Sequence, residues 1–201
     1  MNPFDLTGNV AIVTGANTGI GQAIALALAR AGADVAAVGR TPATETIQQV
    51  KSLGRRAINI EADLSSIEPI SRIVSEVQSQ FGGIDILVNN AGIIRRADAV
   101  EFSEADWDAV IDTNLKSLFF LSQAAARVML GKGRGKIIHI ASLLSFQGGI
   151  RVPAYTAAKS GVAGLTHAMA NEWSAKGINV NAIAPGYIAT DMVMAVPEEV
   201  R

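Results

Sequence analysis

The chain is 201 residues long, has a net charge of -1 and contains no cysteine. That length fits a single domain over residues 1–201, the near-neutral charge argues against nucleic acid or an anionic membrane as the main partner, and the missing cysteines remove disulfides and thiolate metal sites. Hydrophobic residues make up 49% and charged residues only 17%, below the usual charged share of about 25%, so extra surface is expected to be buried between subunits.

In chain order, MNPFDLTGN lacks the basic stretch and apolar run of a secretory signal. NVAIVT (9–14) reads as a strand, residues 19–32 as a helix closed by Gly32, DVAAVG (34–39) as a second strand and residues 43–54 as a second helix. RAINIEAD (56–63) is a third strand, and 66–82 a helix with Ser65 or Ser66 as its cap. Residues 84–92 form a fourth strand, two helical segments follow near 103–112 and 113–130, and 135–142 is a fifth strand. A long helix at 152–177 and a sixth strand at 178–186 complete the pattern. No apolar run is long enough to span a bilayer, so a cytoplasmic protein is expected.

The predicted strands are continuously apolar rather than alternating, as in a sheet covered on both faces. Strict alternation of strand and helix predicts an α/β fold, a Rossmann-like doubly wound parallel sheet with helices on both faces. Ligands in such folds bind beyond the carboxyl ends of the strands, so the residues just after each strand matter most.

After the first strand comes TGANTGIG, residues 14–21. Gly15, Gly19 and Gly21 permit a tight turn and close approach of backbone to a pyrophosphate, and the helix that follows offers unpaired N–H groups. The position between a strand and a helix favours a dinucleotide site over a purely structural turn. The spacing, Gly-x3-Gly-x-Gly, resembles the TGxxxGxG motif of the short-chain dehydrogenases/reductases, and the resemblance covers nearly the whole chain. It implies that Asn17, Thr18 and Ile20 share the cofactor site.

The second strand ends in AAVGRT. The Asp or Glu that would hold a free ribose 2′-hydroxyl is absent; Gly39 stands there and Arg40 follows. Arg40 can pair with a 2′-phosphate through charge-assisted hydrogen bonds, or be a solvated loop residue. In the family a basic residue past the missing acid goes with NADP, so NADP is the expected cofactor and NAD the alternative. The resemblance also implies that Asp63 and Leu64 contact the adenine, and that Asn90, Ala91 and Gly92 of NNAG line the cofactor. It places Pro185, Gly186, Ile188 and Thr190 of PGYIAT at the nicotinamide end.

Tyr155 and Lys159 of YTAAK stand at i and i+4 on one helix face. A free phenol titrates near ~10, and bringing it to ~7 needs about 4 kcal/mol. A cation ~4 Å away supplies about that much at an effective dielectric of ~20. Lys159 is therefore expected to lower the Tyr155 pKa, against desolvation, and Ser142 at the end of the fifth strand to hydrogen-bond a substrate oxygen. This set matches the family's Ser…YxxxK pattern. Asn114 matches its fourth member, whose implied role is to hold a water that links Lys159 to solvent. Tyr155 and Lys159 are also expected to touch the cofactor, Lys159 through the nicotinamide ribose. The implied reaction is hydride transfer between nicotinamide and a secondary alcohol or ketone.

For the substrate, LLSFQGGIRVPAYTAAKSGV and GIIRRADAVEF look most like the family's branch of 2-deoxy-D-gluconate 3-dehydrogenases and related 2-dehydro-3-deoxy-D-gluconate 5-dehydrogenases. A sugar acid needs a cation for its carboxylate and donors for its hydroxyls. Arg95, Arg96, Gln147 and Arg151 are the candidates beside Ser142 and Tyr155, with solvated loop residues as the plain alternative. The rival reading is a 3-oxoacyl-carrier-protein reductase, which needs a basic patch such as Arg127, Lys132 and Arg134. A non-catalytic dinucleotide-binding sensor or scaffold is a third reading, disfavoured because Ser142, Tyr155 and Lys159 are all present. His139 and His167 lack neighbouring ligands, so no metal site is expected. The helices carrying Asn114 and Tyr155 are apolar nearly all round and are expected to form a homodimer or homotetramer interface. The family's fold continues past PGYIATD with a further helix and a seventh strand, which are expected to be missing from a chain that stops at Arg201.

Overall fold

The computed structural model describes residues 4–190; residues 191–201, beyond which a seventh strand would be expected, and residues 1–3 lie outside the described residues. Strands β1 (Val10–Thr14), β2 (Asp34–Gly39), β3 (Ala57–Glu61), β4 (Ile86–Asn89), β5 (Gly135–Ile140) and β6 (Ile178–Ile183) form one sheet in the order β3-β2-β1-β4-β5-β6. Every neighbouring pair is parallel. This is the doubly wound order, which reverses between β1 and β4 and opens a crevice there.

Side chains alternate across the sheet, so both faces of each strand need cover. Val13, Val35, Ala37 and Val88 point to one face, where α1 (Gly19–Arg30) and α2 (Thr44–Ser52) pack. Ile12, Val38, Leu87 and Ile137 point to the other, under α3 (Ile70–Phe81), α5 (Ser117–Lys132) and α6 (Pro153–Trp173). Burying each such aliphatic side chain contributes about 1.5–3 kcal/mol. The continuous apolar runs in the sequence follow from this two-sided burial.

α4 (Glu104–Ile111) starts at Ser103, whose hydroxyl accepts from the Asp106 N–H at 3.1 Å. The two helices expected at 103–112 and 113–130 are one continuous helical run, α4 passing into α5 through a π-helical turn at Asp112–Lys116. α3 begins at Ile70 rather than residue 66. The Ser66 hydroxyl accepts from the Glu68 N–H in a local turn, and Pro69 is the cap, so neither Ser65 nor Ser66 caps the helix. α6 gives way to a 3-10 turn at Ser174–Lys176.

The strands end earlier than expected. β4 stops at Asn89 because the Asn90 N–H goes to the Thr14 hydroxyl rather than into a ladder. β5 stops at Ile140 and β6 at Ile183. The freed residues 90–92, 141–142 and 184–186 become the loops over the carboxyl edge. The opposite edge is held by two buried carboxylates. Asp34 pairs with Arg55 and Arg56, and Asp85 with Lys132 and Arg134.

Candidate active site

At the crevice between β1 and β4, the Asn90 side-chain amide donates to the Thr14 and Gly15 carbonyls at 3.0 and 3.2 Å. In return the Thr14 hydroxyl accepts from the Asn90 and Ala91 N–H groups at 2.9 Å each. These bonds fix the glycine turn against the fourth-strand loop. A Cβ on Gly21 would lie 2.1 Å from the Gly15 carbonyl oxygen and 2.4 Å from Asn90 Nδ2. Gly15 has φ +65°, which disfavours any side chain. α1 starts at Gly19 within this turn, and Thr18 at its cap makes no side-chain cap bond, so no cap side chain occupies the first-turn N–H groups. A tight turn with glycines at 15, 19 and 21 and no side-chain cap at the helix start fits a dinucleotide pyrophosphate.

From the turn a cleft runs to the β5 edge. It is lined by Ile20, Asn90, Gly92, Ser142, Tyr155, Lys159, Pro185, Gly186, Ile188 and Thr190, together with Ile93, Ile140 and Ala141. Gly15, Asn17, Thr18 and Gly19 are not among its lining residues, but a Cβ on Gly19 would lie 3.5 Å from the Thr190 methyl and one on Gly15 2.9 Å from Asn90 Nδ2. The Ser142 loop is tied to the residues after β6 by Ala141 N–H to the Ile183 carbonyl at 2.8 Å and Leu143 N–H to the Pro185 carbonyl at 3.1 Å.

Lys159 is 4% exposed and donates its ammonium to the Ile140 carbonyl at 2.6 Å. Burial pulls its pKa down to about 8. The Nζ lies 5.6 Å from the centroid of the Tyr155 ring. Burial pushes the Tyr155 phenol up, and the hydrogen bond from Ser142 pulls it back in part. The expectation that Lys159 lowers the Tyr155 pKa is therefore not met in this structure. The ammonium is committed to a backbone carbonyl, and desolvation is the larger effect on the phenol.

Asn114 is buried within the π-helical turn. Its amide grips one residue, donating to the Ile93 carbonyl and accepting from the Ile93 N–H, both at 2.8 Å. The side chain thus holds the loop after NNAG, and a water relay through Asn114 has to use its backbone or spare amide capacity.

The other expected residues fall outside the cleft. Arg40 and Asp63 line a separate groove along the carboxyl ends of β2 and β3, with Glu61, Ser66 and Arg72. Asp63 is held below the usual carboxylate range first by its bonds to Ser65 and last by the Arg40 charge. Leu64 is buried beside it. Arg95 pairs with Asp106 at 3.2 Å and Arg151 with Asp98 at 2.9 Å, so both cations are engaged. Arg151 adopts φ +63°, and its carbonyl accepts from the Ala97 N–H at 3.1 Å, which ties the loop before α6 to the loop after β4. Gln147 is exposed. Lys132 and Arg134 share Asp85 at the far edge of the sheet, and Arg127 bonds Gln123 on α5. Those three do not form a free basic patch. Among the described residues no His, Asp and Glu group is arranged to hold a metal, and no helix is long and apolar enough to cross a membrane.

Sequence reasoning passed over Thr14, the Ile140 carbonyl and Ser145. Thr14 was readable as the polar residue at a strand end next to the glycine turn. The Ile140 carbonyl has no side-chain signature. The Ser145 hydroxyl donates to the Lys159 carbonyl at 2.6 Å, a contact across 14 residues that only the fold reveals.

The comparisons agree with this arrangement. The chain is 58% identical over 192 residues to the 2-dehydro-3-deoxy-D-gluconate 5-dehydrogenase of Escherichia coli (strain K12), a match covering 95% of this chain and 76% of that protein. It superposes with a TM-score of 0.90 and 58% identity on a crystal structure from Agrobacterium tumefaciens that is provisionally named a 2-deoxy-D-gluconate 3-dehydrogenase and contains bound NADP, covering 97% of this chain and 78% of that one. A 3-oxoacyl-[acyl-carrier-protein] reductase of Staphylococcus aureus is 41% identical over 194 residues, covering 95% of this chain and 79% of that protein. The family model described as short chain dehydrogenase matches residues 9–201. With the glycine turn, the crevice and the Ser142–Tyr155–Lys159 cleft in one molecule, the chain belongs to the short-chain dehydrogenase family.

Proposed function

We propose that this chain is an NAD(P)-dependent oxidoreductase acting on a CH–OH or carbonyl group of a sugar acid, with Tyr155 as the group that moves the proton. The observation that carries this reading is the shared cleft. Tyr155, Ser142 and Lys159 line one cleft with Ile20, next to the glycine turn at residues 15–21.

The bound cofactor supplies or accepts the hydride at its nicotinamide. In this reading Gly15, Asn17, Thr18, Gly19, Ile20 and Gly21 hold the pyrophosphate. Asp63 and Leu64 meet the adenine, Arg40 the 2′-phosphate of NADP, and Asn90 to Gly92 the middle of the cofactor. Pro185, Gly186, Ile188 and Thr190 wall the nicotinamide end. Tyr155, kept protonated by burial, gives its proton to a substrate carbonyl oxygen in reduction and takes one back in oxidation. Ser142 bonds the same oxygen and steadies the phenol. Lys159 is the cation at the inner end of the cleft and bonds the nicotinamide ribose. Asn114 keeps the Ile93 loop in place.

The sugar-acid class is supported by the relatives named above, which share more identity with this chain than the carrier-protein reductase does. The engaged state of Lys132 and Arg134 also disfavours an acidic carrier. Substrate carboxylate recognition falls to Arg95, Arg96 or Arg151, of which Arg95 and Arg151 have to exchange an aspartate partner for it. The half-buried Phe119 and Phe120 on α5, with ring centroids 5.1 Å apart, and the small-residue surface of α6 support association of copies through these helices, which sedimentation velocity tests. A screen of NADH and NADPH against keto sugar acids and an acetoacetyl thioester tests the function. Turnover of the sugar acids with NADPH is the expected result, and turnover of the thioester alone would overturn the substrate class.

A further inference from the structure

Lys159 is held at both ends. Its Nζ donates to the Ile140 carbonyl at 2.6 Å, and its own backbone carbonyl accepts from the Ser145 hydroxyl at 2.6 Å. Ser145 Oγ in turn accepts from the Ser142 N–H at 3.3 Å. Ile140 and Ser142 are separated by one residue, so these bonds close a ring from the end of β5 through the Ser142 loop to α6 and back. Two more bonds brace it. The Ser160 hydroxyl donates to the Ser145 carbonyl at 3.3 Å, and Ser142 Oγ accepts from the Leu144 N–H at 3.2 Å.

Backbone bonds from Ala141 and Leu143 tie the loop to the residues after β6, while the hydroxyls of Ser145 and Ser160 tie it to α6. Leu143 is 42% and Phe146 74% exposed, so apolar burial does not set its position. Ser145 is the residue whose side chain reaches both partners. It contacts the backbone of two residues assigned to the chemistry, and it does not line the cleft.

We propose that Ser145 is a positioning residue for the reaction: its hydroxyl clamps the Ser142 loop onto α6 and thereby sets the contact between the Ser142 hydroxyl and the Tyr155 phenol. This rests on the oxidoreductase reading above. Both functions of the hydroxyl are needed, donation to the Lys159 carbonyl and acceptance from the Ser142 N–H, so only another hydroxyl replaces it fully. Ser142 is also the group that pulls the phenol down, so loosening it has a signature in the pH dependence of turnover and not only in its size.

The test compares wild type with Ser145→Ala, Ser145→Cys and Ser145→Thr, using the substrate and cofactor on which the wild type turns over. For Ser145→Ala the expected result is a fall in kcat of about 10-fold, the size of one lost hydrogen bond, with NADPH affinity by fluorescence titration unchanged. The phenol limb of its kcat–pH profile moves to higher pH. Ser145→Thr recovers most of kcat and the wild-type profile, and Ser145→Cys, a weaker donor, falls between. Should the alanine variant not fold, the cysteine and threonine variants give the same ranking. A wild-type kcat and profile in Ser145→Ala or Ser145→Cys would overturn the proposal, as would a loss that threonine does not recover. A wild type inactive on every substrate would instead overturn the oxidoreductase reading, and this proposal with it.

Discussion

The Lys159 ammonium lies 2.6 Å from the Ile140 carbonyl oxygen and 5.6 Å from the centre of the Tyr155 ring, so it is bonded to the strand end beside the ring. Its charge is buried, and burial lowers its pKa from 10.5 to about 8. Between those two pH values the unfolded chain holds more protons than the folded one, so stability falls as the pH drops from about 10.5 to 8. The size is on the order of 3 kcal/mol. Lys159→Met lacks this dependence. Urea midpoints of the two proteins at pH 8, 9 and 10 should diverge in favour of wild type as the pH rises.

His139 behaves as a neutral buried link. Its ring nitrogens lie 3.2 Å from the Ser122 hydroxyl on α5 and 2.9 Å from the Thr166 hydroxyl on α6. Burial, with the Lys159 charge adding, pulls its pKa from 6.5 to about 4. Stability from this residue is complete above about pH 6.5 and is lost as the pH falls toward about 4, by on the order of 3 kcal/mol. His139→Asn should lose less stability than wild type over that window. The His139 ring signals in an NMR titration should remain those of a neutral imidazole down to about pH 4.

Gly21→Ala tests the cofactor turn. The new methyl meets the Gly15 carbonyl at 2.1 Å, and backbone has to move. Such overpacking costs about 1–3 kcal/mol in stability. Because the displaced atoms are the turn itself, NADPH binding should weaken at least about 10-fold, read by fluorescence titration.

Arg40→Ala tests cofactor choice. Arg40 is exposed at the end of β2 and borders the groove shared with Asp63. A charge-assisted bond to a phosphate is worth about 1.5–3 kcal/mol, so KM for NADPH should rise about 10- to 100-fold. KM for NADH should stay within about twofold. Equal losses for both cofactors would remove Arg40 from the 2′-phosphate site.

Much of the fold is legible in the sequence because it depends on local patterns. Six apolar runs between amphipathic segments specify six parallel strands, and the strand–glycine–helix order at residues 9–32 marks the carboxyl edge. Tyr155 and Lys159 share a helix face by spacing alone. Element ends are less legible. The carboxyl ends of β4, β5 and β6 lose their ladders to tertiary bonds such as Asn90 to Thr14, and Pro69 delays α3. The partners of charged groups are least legible. Lys159 bonds a carbonyl, Arg95 and Arg151 meet Asp106 and Asp98, and Lys132 and Arg134 meet Asp85 across about 50 residues. Each of these pairings exists only once loops are brought together. The direction of the Tyr155 shift is equally hidden, because burial of the phenol, which raises it, follows from the packing.

The central claim is that Tyr155 moves the substrate proton. It is tested most directly by measuring reduction of a keto sugar acid with NADPH by wild type and Tyr155→Phe, with cofactor affinity measured in parallel. The account predicts that kcat falls by about 100- to 10,000-fold, the usual contribution of a general acid, while NADPH still binds. Turnover in Tyr155→Phe close to that of wild type would contradict it.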